Sequence, residues 1–407
     1  MGDKTAATGK GPLTGIRVLD FTRVLAGPLC TAVMADIGAE VIKIESIRGD
    51  DYRHVPPFSK EESAFFLLMN RGKKSVVVDL KSEQGREVVH ELIKTSDVVV
   101  ENFKPGVAER LGIDYETCNA LRPDIIYSSI SGFGQKGPMS GMPAYDIIVQ
   151  AASGLMQSTG FEENSPTLAG EAIGDLLAGL FAAWGISSAL YEREKTGLGR
   201  YLDVAMFDCL FTMLPTSIAQ WSYGGYLPKR TGNRHPISVP FGTYQASDGY
   251  FVLAILNDDL FSHFLNSIGE SALVDDARLS SDETRSNNEP FVRGLIENWC
   301  KDKSVDEVVS SLSRARIPVG PIWDIEQAIN SEQVKQRGLM TEVKHKILGN
   351  TPVLEQPVHF AGQSRGQLGP PPVLGEHTTE VLRELCELTP EQIVELNDRK
   401  AVLSSKA

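Results

Sequence analysis

One alternation runs through the first 130 residues and restricts the fold more than any other feature: short apolar runs separated by helical patterns. The runs cover residues 16–20, 39–45, 75–80, 97–101 and 125–130. Helical spacing fills 28–37, 82–94 and 107–118, the first of these opened by Pro28 and closed by Gly38. Strands that alternate with helices pair in parallel, because each crossover returns the chain along a face of the sheet. The expectation is an α/β fold, a doubly wound parallel sheet with helices on both faces.

Past Arg200 the pattern changes. Residues 221–240 are rich in glycine and proline with little hydrophobic period, which marks a domain boundary and a candidate functional loop. Apolar runs at 241–245 and 250–255 then flank Ser247-Asp248-Gly249, a hairpin turn. Helical patterns at 259–268, 289–300 and 305–313 complete a smaller α+β domain. A further helix is expected near 324–330, then extended segments, a break at Pro370-Pro371-Pro372 and a final helix from Glu376. A chain of 407 residues exceeds a typical single domain. The expected division is a large domain over 1–205, a small domain over 225–330 and a return to the large domain over 335–407.

The formal net charge of -13 argues against a nucleic-acid partner, which requires a concentrated basic face. Cys30, Cys118, Cys209, Cys300 and Cys386 have neither a CxxC pair nor zinc spacing, so no metal site is expected. They read as reduced thiols of a cytoplasmic protein, with the mitochondrial matrix as an alternative. Residues 1–11 are small and polar and read as a loose tail without a leader pattern. The most apolar segment, 176–190, is short for a membrane span and is interrupted by Gly179 and Gly185. A dinucleotide cofactor suits such a sheet, and Glu45 is placed like a ribose-binding acid. The turn over 21–28 holds only Gly27, however, where a phosphate-binding turn requires G-x-G-x-x-G.

Asp175 is a single carboxylate beside Gly174 where a long apolar helix begins, and Gly197 is placed to end that helix. The unpaired amides and dipole of a helix N-terminus favour an ionised carboxylate, which would serve as a nucleophile. The same position suits an aspartate that only caps the helix. The local sequence leaves both readings open.

Several separate segments resemble the class III CoA-transferases, the family of formyl-CoA transferase, carnitine CoA-transferase and succinyl-CoA:glutarate CoA-transferase. They include Leu13-Thr-Gly-Ile-Arg-Val-Leu-Asp-Phe-Thr-Arg-Val-Leu-Ala-Gly-Pro28, Gly38-Ala-Glu-Val-Ile-Lys-Ile-Glu45, Asn70-Arg-Gly-Lys-Lys-Ser75 and Val100-Glu-Asn-Phe-Lys-Pro-Gly106. Ile130-Ser-Gly-Phe-Gly-Gln-Lys-Gly-Pro138, the Asp175 stretch, Thr196-Gly-Leu-Gly-Arg200, Pro318-Val-Gly-Pro321 and Leu374-Gly-Glu-His-Thr378 continue the likeness. The details over 230–240 most resemble the branch acting on short dicarboxylic acids.

The resemblance implies a Rossmann-like large domain built from both ends of the chain, a smaller domain between them and an interlocked homodimer. It places the family's catalytic aspartate on Asp175. It implies no permanently bound cofactor, with coenzyme A thioesters as substrates, a carboxylic acid as the other small-molecule partner, and no membrane or nucleic-acid partner. By family position Val24, Leu25, Asn102, Phe103, Arg110 and Tyr145 are expected at the CoA site. Lys43, Arg48, Arg53, Arg71, Lys73, Lys74 and Lys104 lie in or after the same strands and are expected to supply cations for its phosphates; solvated surface is the alternative for each. Phe103 and Tyr145 suit a core equally well. Leu25 and Ser46 replace a glutamine and an arginine of formyl-CoA transferase, which argues against a formyl or oxalyl specificity. In the related α-methylacyl-CoA racemases a histidine precedes the aspartate of Tyr145-Asp146; tyrosine here supplies no imidazole. A non-catalytic CoA-binding protein is the reading that would not need Asp175. Arg230, Arg234 and His235 are the candidates to meet the distal carboxylate of a dicarboxylic acid, on a loop expected to act as a lid.

Overall fold

A computed structural model describes residues 11–361 and 368–405. The tail expected over 1–11 lies, up to residue 10, outside the described residues. Six strands form the parallel part of the main sheet: β1 Arg17–Asp20, β2 Glu40–Glu45, β3 Lys73–Val78, β4 Val98–Glu101, β5 Ile126–Ser131 and β6 Arg200–Ala205. A seventh, β7 Val402–Leu403, pairs antiparallel with β3. The order across the sheet is β7-β3-β2-β1-β4-β5-β6, so the parallel strands follow the doubly wound 3-2-1-4-5-6 pattern.

The register of the core strands follows from their composition. Leu19, Ile42, Val76 and Val99 are fully buried and pack with Val89, Leu92 and Ile93 of the helix Glu83–Lys94. Ser82 caps that helix by accepting from the Gly85 amide. β3 starts two residues earlier than its apolar run because Lys73 spends its charge on a buried partner. The helix expected over 107–118 breaks at Gly112, whose φ of +69° ends the first piece, and Asp114 caps the second, Tyr115–Leu121. β6 went unrecognised in the sequence: it is an edge strand with a mostly exposed face, so it has no apolar run.

The chain divides into two compact units, and residues 154–169 join 215–331 in the second rather than lying with the first domain. The second unit has its own three-stranded antiparallel sheet, Val319–Pro321, Tyr250–Ala254 and Phe241–Gln245. Its core includes Phe251, Phe264, Val292 and Ile296.

In the first unit a long helix, Ile173–Thr196, packs along the first helix, Ala26–Asp36. At 24 residues it is longer than the apolar segment read from sequence, and by length and composition alone it could cross a membrane; 39% of its apolar window is buried. Gly197 ends it in a left-handed conformation at φ +69°. The two helices approach closely at Gly179, where an added Cβ would lie 2.6 Å from the Ala26 carbonyl oxygen. Any larger residue there must separate them.

Candidate active site

On either side of β1 the chain winds in opposite directions, so the loops leaving β1 and β4 diverge and open a crevice at the carboxyl ends of the strands. A cavity of about 190 Å³ in that crevice is lined by Arg23, Val24, Asn102, Phe103, Lys104, Ser131, Met142, Tyr145 and Asp175, among others. Asn102 ties the two loops together, its Oδ1 accepting from the Arg23 amide at 2.9 Å and its Nδ2 donating to the Arg23 carbonyl at 2.7 Å. The Arg23 guanidinium lies 6.0 Å from the Phe103 ring centroid and pairs with Asp51 at 3.1 Å. A second cavity, of about 430 Å³, shares Arg23, Asp51 and Phe103 and adds Ser46, Arg48, His54 and Lys81.

Asp175 occupies the first turn of its helix but does not cap it. The cap position belongs to Ala172, and the Gly174 amide donates to Asp146 Oδ1 at 2.7 Å. Gln150 holds Asp146 from the other side, donating to Oδ2 at 2.6 Å. A Cβ at Gly174 would lie 3.0 Å from that same Asp146 oxygen, a tight contact that glycine avoids. The capping role the sequence left open for Asp175 is thus filled by Asp146, which lies 28 positions before the Gly174 amide it accepts from.

The electrostatics also differ from the sequence expectation. Burial and the neighbouring Asp146 push the Asp175 carboxyl up to about 7, against a hydrogen bond from the Ala26 amide that lowers it. Helix-end stabilisation therefore loses to desolvation and like charge. A carboxyl poised near neutrality is a stronger nucleophile than an ordinary aspartate and is still half ionised at pH 7. Burial and Asp175 in turn raise the Tyr52 phenol. Burial likewise pushes Glu101 up to about 7 beneath the Phe103 amide, which it accepts at 2.7 Å. Asp146→Asn removes the like charge while retaining an oxygen for Gly174. The midpoint of the pH profile for attack by Asp175 should move toward acid by about one pH unit, as read in single-turnover rates.

Val24, Asn102, Phe103 and Tyr145 line the Asp175 cavity, and Tyr145 is 75% exposed rather than a core aromatic. Leu25 precedes the first helix and Arg110 is exposed on a short helix; neither lines that cavity. Lys43, Arg71 and Lys73 depart both from the expected phosphate-binding cluster and from solvated surface. Lys43 and Lys73 are fully buried, paired with Asp50 at 2.8 Å and Asp20 at 3.0 Å. Arg71 pairs with Asp36, also out of solvent. Arg53 is spent on Glu45 and Lys74 on Glu40 and Glu380. Apolar strands with charged ends hid these pairs, because sequence cannot distinguish a buried lysine with a partner from an exposed one. Arg23, Arg48, Lys81 and Lys104 are the exposed cations that line the two cavities. Arg23 and Lys81 had not been singled out.

The 230–240 loop belongs to the second unit and is pinned by its own contacts. Arg230 donates to the carbonyls of Gln157, Phe161, Glu162 and Asn164. His235 Nδ1 accepts from the Ile237 and Ser238 amides, and its ring stacks on Phe241 at 4.7 Å. Arg230 and His235 therefore serve the loop, contrary to the expectation that they face substrate. Arg234 has no ion pair among the described residues and lines a cavity of about 700 Å³ with Asn233, Tyr250 and Arg293. The guanidinium of Arg293 is bound by Glu289 and Glu297.

Among known proteins, the model of CoA-transferase family III matches residues 13–378. The chain belongs to that family. It is 40% identical to acetyl-CoA:oxalate CoA-transferase of Acetobacter aceti, covering 87% of this chain and 91% of the relative. It is 35% identical to succinate–glutarate CoA-transferase of Agrobacterium fabrum, over 92% and 96% of the two chains. A crystal structure of a CAIB/BAIF family protein from Brucella suis superposes with a TM-score of 0.82 at 35% identity, covering 92% of this chain and all of that one. The protein is a CoA-transferase. Among the described residues no histidine lines the cavity of this CoA-transferase that holds Asp175, which disfavours racemase chemistry there.

Proposed function

We propose that the protein moves CoA from an acyl-CoA to a short dicarboxylic acid, with Asp175 as the nucleophile. The observation that carries this reading is the near-neutral Asp175 carboxyl in a cavity at the switch point of the sheet. Asp175 attacks the thioester carbonyl, forming a mixed anhydride and releasing CoA thiolate. The thiolate attacks the aspartyl carbonyl and frees the donor acid, leaving an aspartyl-CoA thioester. The acceptor carboxylate then displaces CoA to form a second anhydride, and CoA attacks its acyl carbon to regenerate Asp175. Each step exchanges one activated acyl bond for another. Val24, Asn102, Phe103 and Tyr145 would border the CoA, with Arg23, Arg48, Lys81 and Lys104 available to its phosphates.

The named relatives act on oxalate and glutarate, which supports a dicarboxylate acceptor. Leu25 and Ser46 had argued against oxalyl chemistry, so glutarate and succinyl-CoA are the first pair to test. After mixing with succinyl-CoA and trapping with hydroxylamine, the peptide containing Asp175 should gain the adduct mass. A wild-type enzyme that turns over without that adduct sinks the reading.

Arg234, without an ion pair among the described residues, is our candidate cation for a distal carboxylate. Arg234→Ala should raise KM for glutarate about tenfold more than KM for a monocarboxylate of similar length. Arg230→Ala should instead cost about 1–2 kcal/mol of stability, read by urea unfolding, with both KM values moving together.

The long helix exposes Leu180, Trp184 and Tyr191, which are 49%, 68% and 65% accessible. We assign this face to a second copy of the chain, as a homodimer, and light scattering on the pure protein tests it. The five unpaired cysteines, four of them buried, support a reducing, cytoplasmic setting.

A further inference from the structure

The two cavities at the carboxyl ends of the strands have three lining residues in common, Arg23, Asp51 and Phe103. The smaller cavity holds Asp175, and the larger collects Arg48 and Lys81. A ligand long enough to occupy both must therefore pass Arg23 and Asp51. Those two side chains are paired, Arg23 Nη1 donating to Asp51 Oδ2 at 3.1 Å.

The backbone on both sides of this pair is fixed. Asn102 grips Arg23 by its amide and its carbonyl, and the next amide, that of Val24, donates to Asp50 Oδ1 at 3.0 Å. Asp50 is 4% exposed and anchored on the fully buried Lys43. It directly precedes Asp51 and caps the short helix Asp51–His54 by accepting from the Tyr52 amide at 2.9 Å. The paired side chains have no such anchors. Those of Arg23 and Asp51 are 55% and 62% exposed, and among the described residues Asp51 has no other ion pair or side-chain hydrogen bond. An exposed ion pair gains little over its hydrated parts, so it opens readily. A diphosphate offers the guanidinium a charge-assisted, bidentate partner instead.

The other acids of the larger cavity are already engaged. Glu45 is bound by Arg53 and Asp50 by Lys43, while Asp79 accepts from the Lys81 amide. Asp51 is the carboxylate left to compete with an anionic ligand for a cation.

We propose that Asp51 is a competing counter-ion in the CoA passage: it holds Arg23 until CoA arrives and yields it to the CoA diphosphate, so that binding is weaker than the cations alone would make it. The inference rests on the reading that CoA reaches from the larger cavity to Asp175. Asp51 acts through Arg23, and the pair re-forms as the product acyl-CoA leaves, which favours release.

The test measures dissociation constants on wild type, Asp51→Ala, Arg23→Ala and the double variant. CoA is followed by calorimetry, and pantetheine, which lacks the diphosphate and the nucleotide, by ligand-observed NMR. Asp51→Ala should tighten CoA about fivefold and leave pantetheine within about twofold. Arg23→Ala should weaken CoA about tenfold. In that background Asp51→Ala should move CoA by less than about twofold, because no guanidinium remains for Asp51 to hold. A merely structural pair would lose affinity with either substitution, since damage to the fold does not tighten binding. Weaker or unchanged CoA binding in Asp51→Ala overturns the proposal. An equal gain in the Arg23→Ala background also overturns it, since plain repulsion of phosphate would then suffice. Arg48→Ala and Lys81→Ala separate the proposal from the reading beneath it. If either weakens CoA while Asp51→Ala changes nothing, the proposal alone falls. If both are silent and Arg23→Ala is silent too, CoA lies elsewhere and the reading falls with the proposal.

Discussion

Asp175→Asn should abolish CoA transfer and at the same time raise the melting temperature at pH 8. Loss of a covalent nucleophile costs on the order of 10⁴-fold or more in kcat. The gain in stability follows from the environment that makes the carboxyl reactive. Its folded value, raised to about 7 from the ordinary 3.8, means that between these limits the folded protein keeps a proton the unfolded chain has already released. Stability therefore falls as pH rises through that window and levels off above it. The full difference amounts to at most about 4 kcal/mol, part of which water at the cavity mouth screens. An uncharged asparagine avoids the penalty. Thermal unfolding of wild type and variant from pH 4 to 8 should show curves that meet near pH 4 and separate with the variant higher above pH 7. A variant less stable at pH 8 would mean that the buried carboxylate is compensated by a partner the cavity does not show.

Lys73→Met should cost about 3–5 kcal/mol of stability and leave KM for acyl-CoA nearly unchanged in the protein that folds. The Lys73 ammonium donates to Asp20 Oδ2, to the Pro28 carbonyl and to Asn70 Oδ1, all within 3.0 Å. Burial draws it down to about 8 while Asp20 opposes. Methionine would fill the volume and strand Asp20, which is fully buried and keeps only the Thr22 and Thr31 hydroxyls as direct side-chain partners. Urea unfolding separates the alternatives: a tenfold rise in KM at unchanged stability would return Lys73 to the phosphate-binding role its sequence position suggested.

What the sequence conveyed was periodicity, and what it withheld was partnership. Five parallel strands and the hairpin of the second unit were legible because their apolar faces repeat at strand spacing and glycine or proline punctuates them. The edge strand β6 and the two-residue β7 were not, since neither buries enough of a face to leave a pattern. Asp175 was legible as a carboxylate at a helix start. Its near-neutral character was not, because that depends on Asp146, 29 residues earlier, and on burial that no local window reports. Position along the strands equally suggested that Lys43 and Lys73 face ligand, when each balances an acid inside the sheet.

β7 has a consequence for how the protein is made. The strand that closes the β3 edge lies at residues 402–403, and Thr378 bridges it to the sheet by donating to the Leu403 carbonyl and accepting from the Val77 amide. Val381, Leu382 and Ile393 fill the same core as Leu19 and Val76. A ribosome delivers β1 about 380 residues before β7, so the nascent sheet waits over that stretch with one edge open and part of its core unfilled. Such an edge invites pairing with other chains. Synthesis of this enzyme therefore places its aggregation hazard before residues 378–403 emerge, and shielding by a chaperone would matter most in that interval.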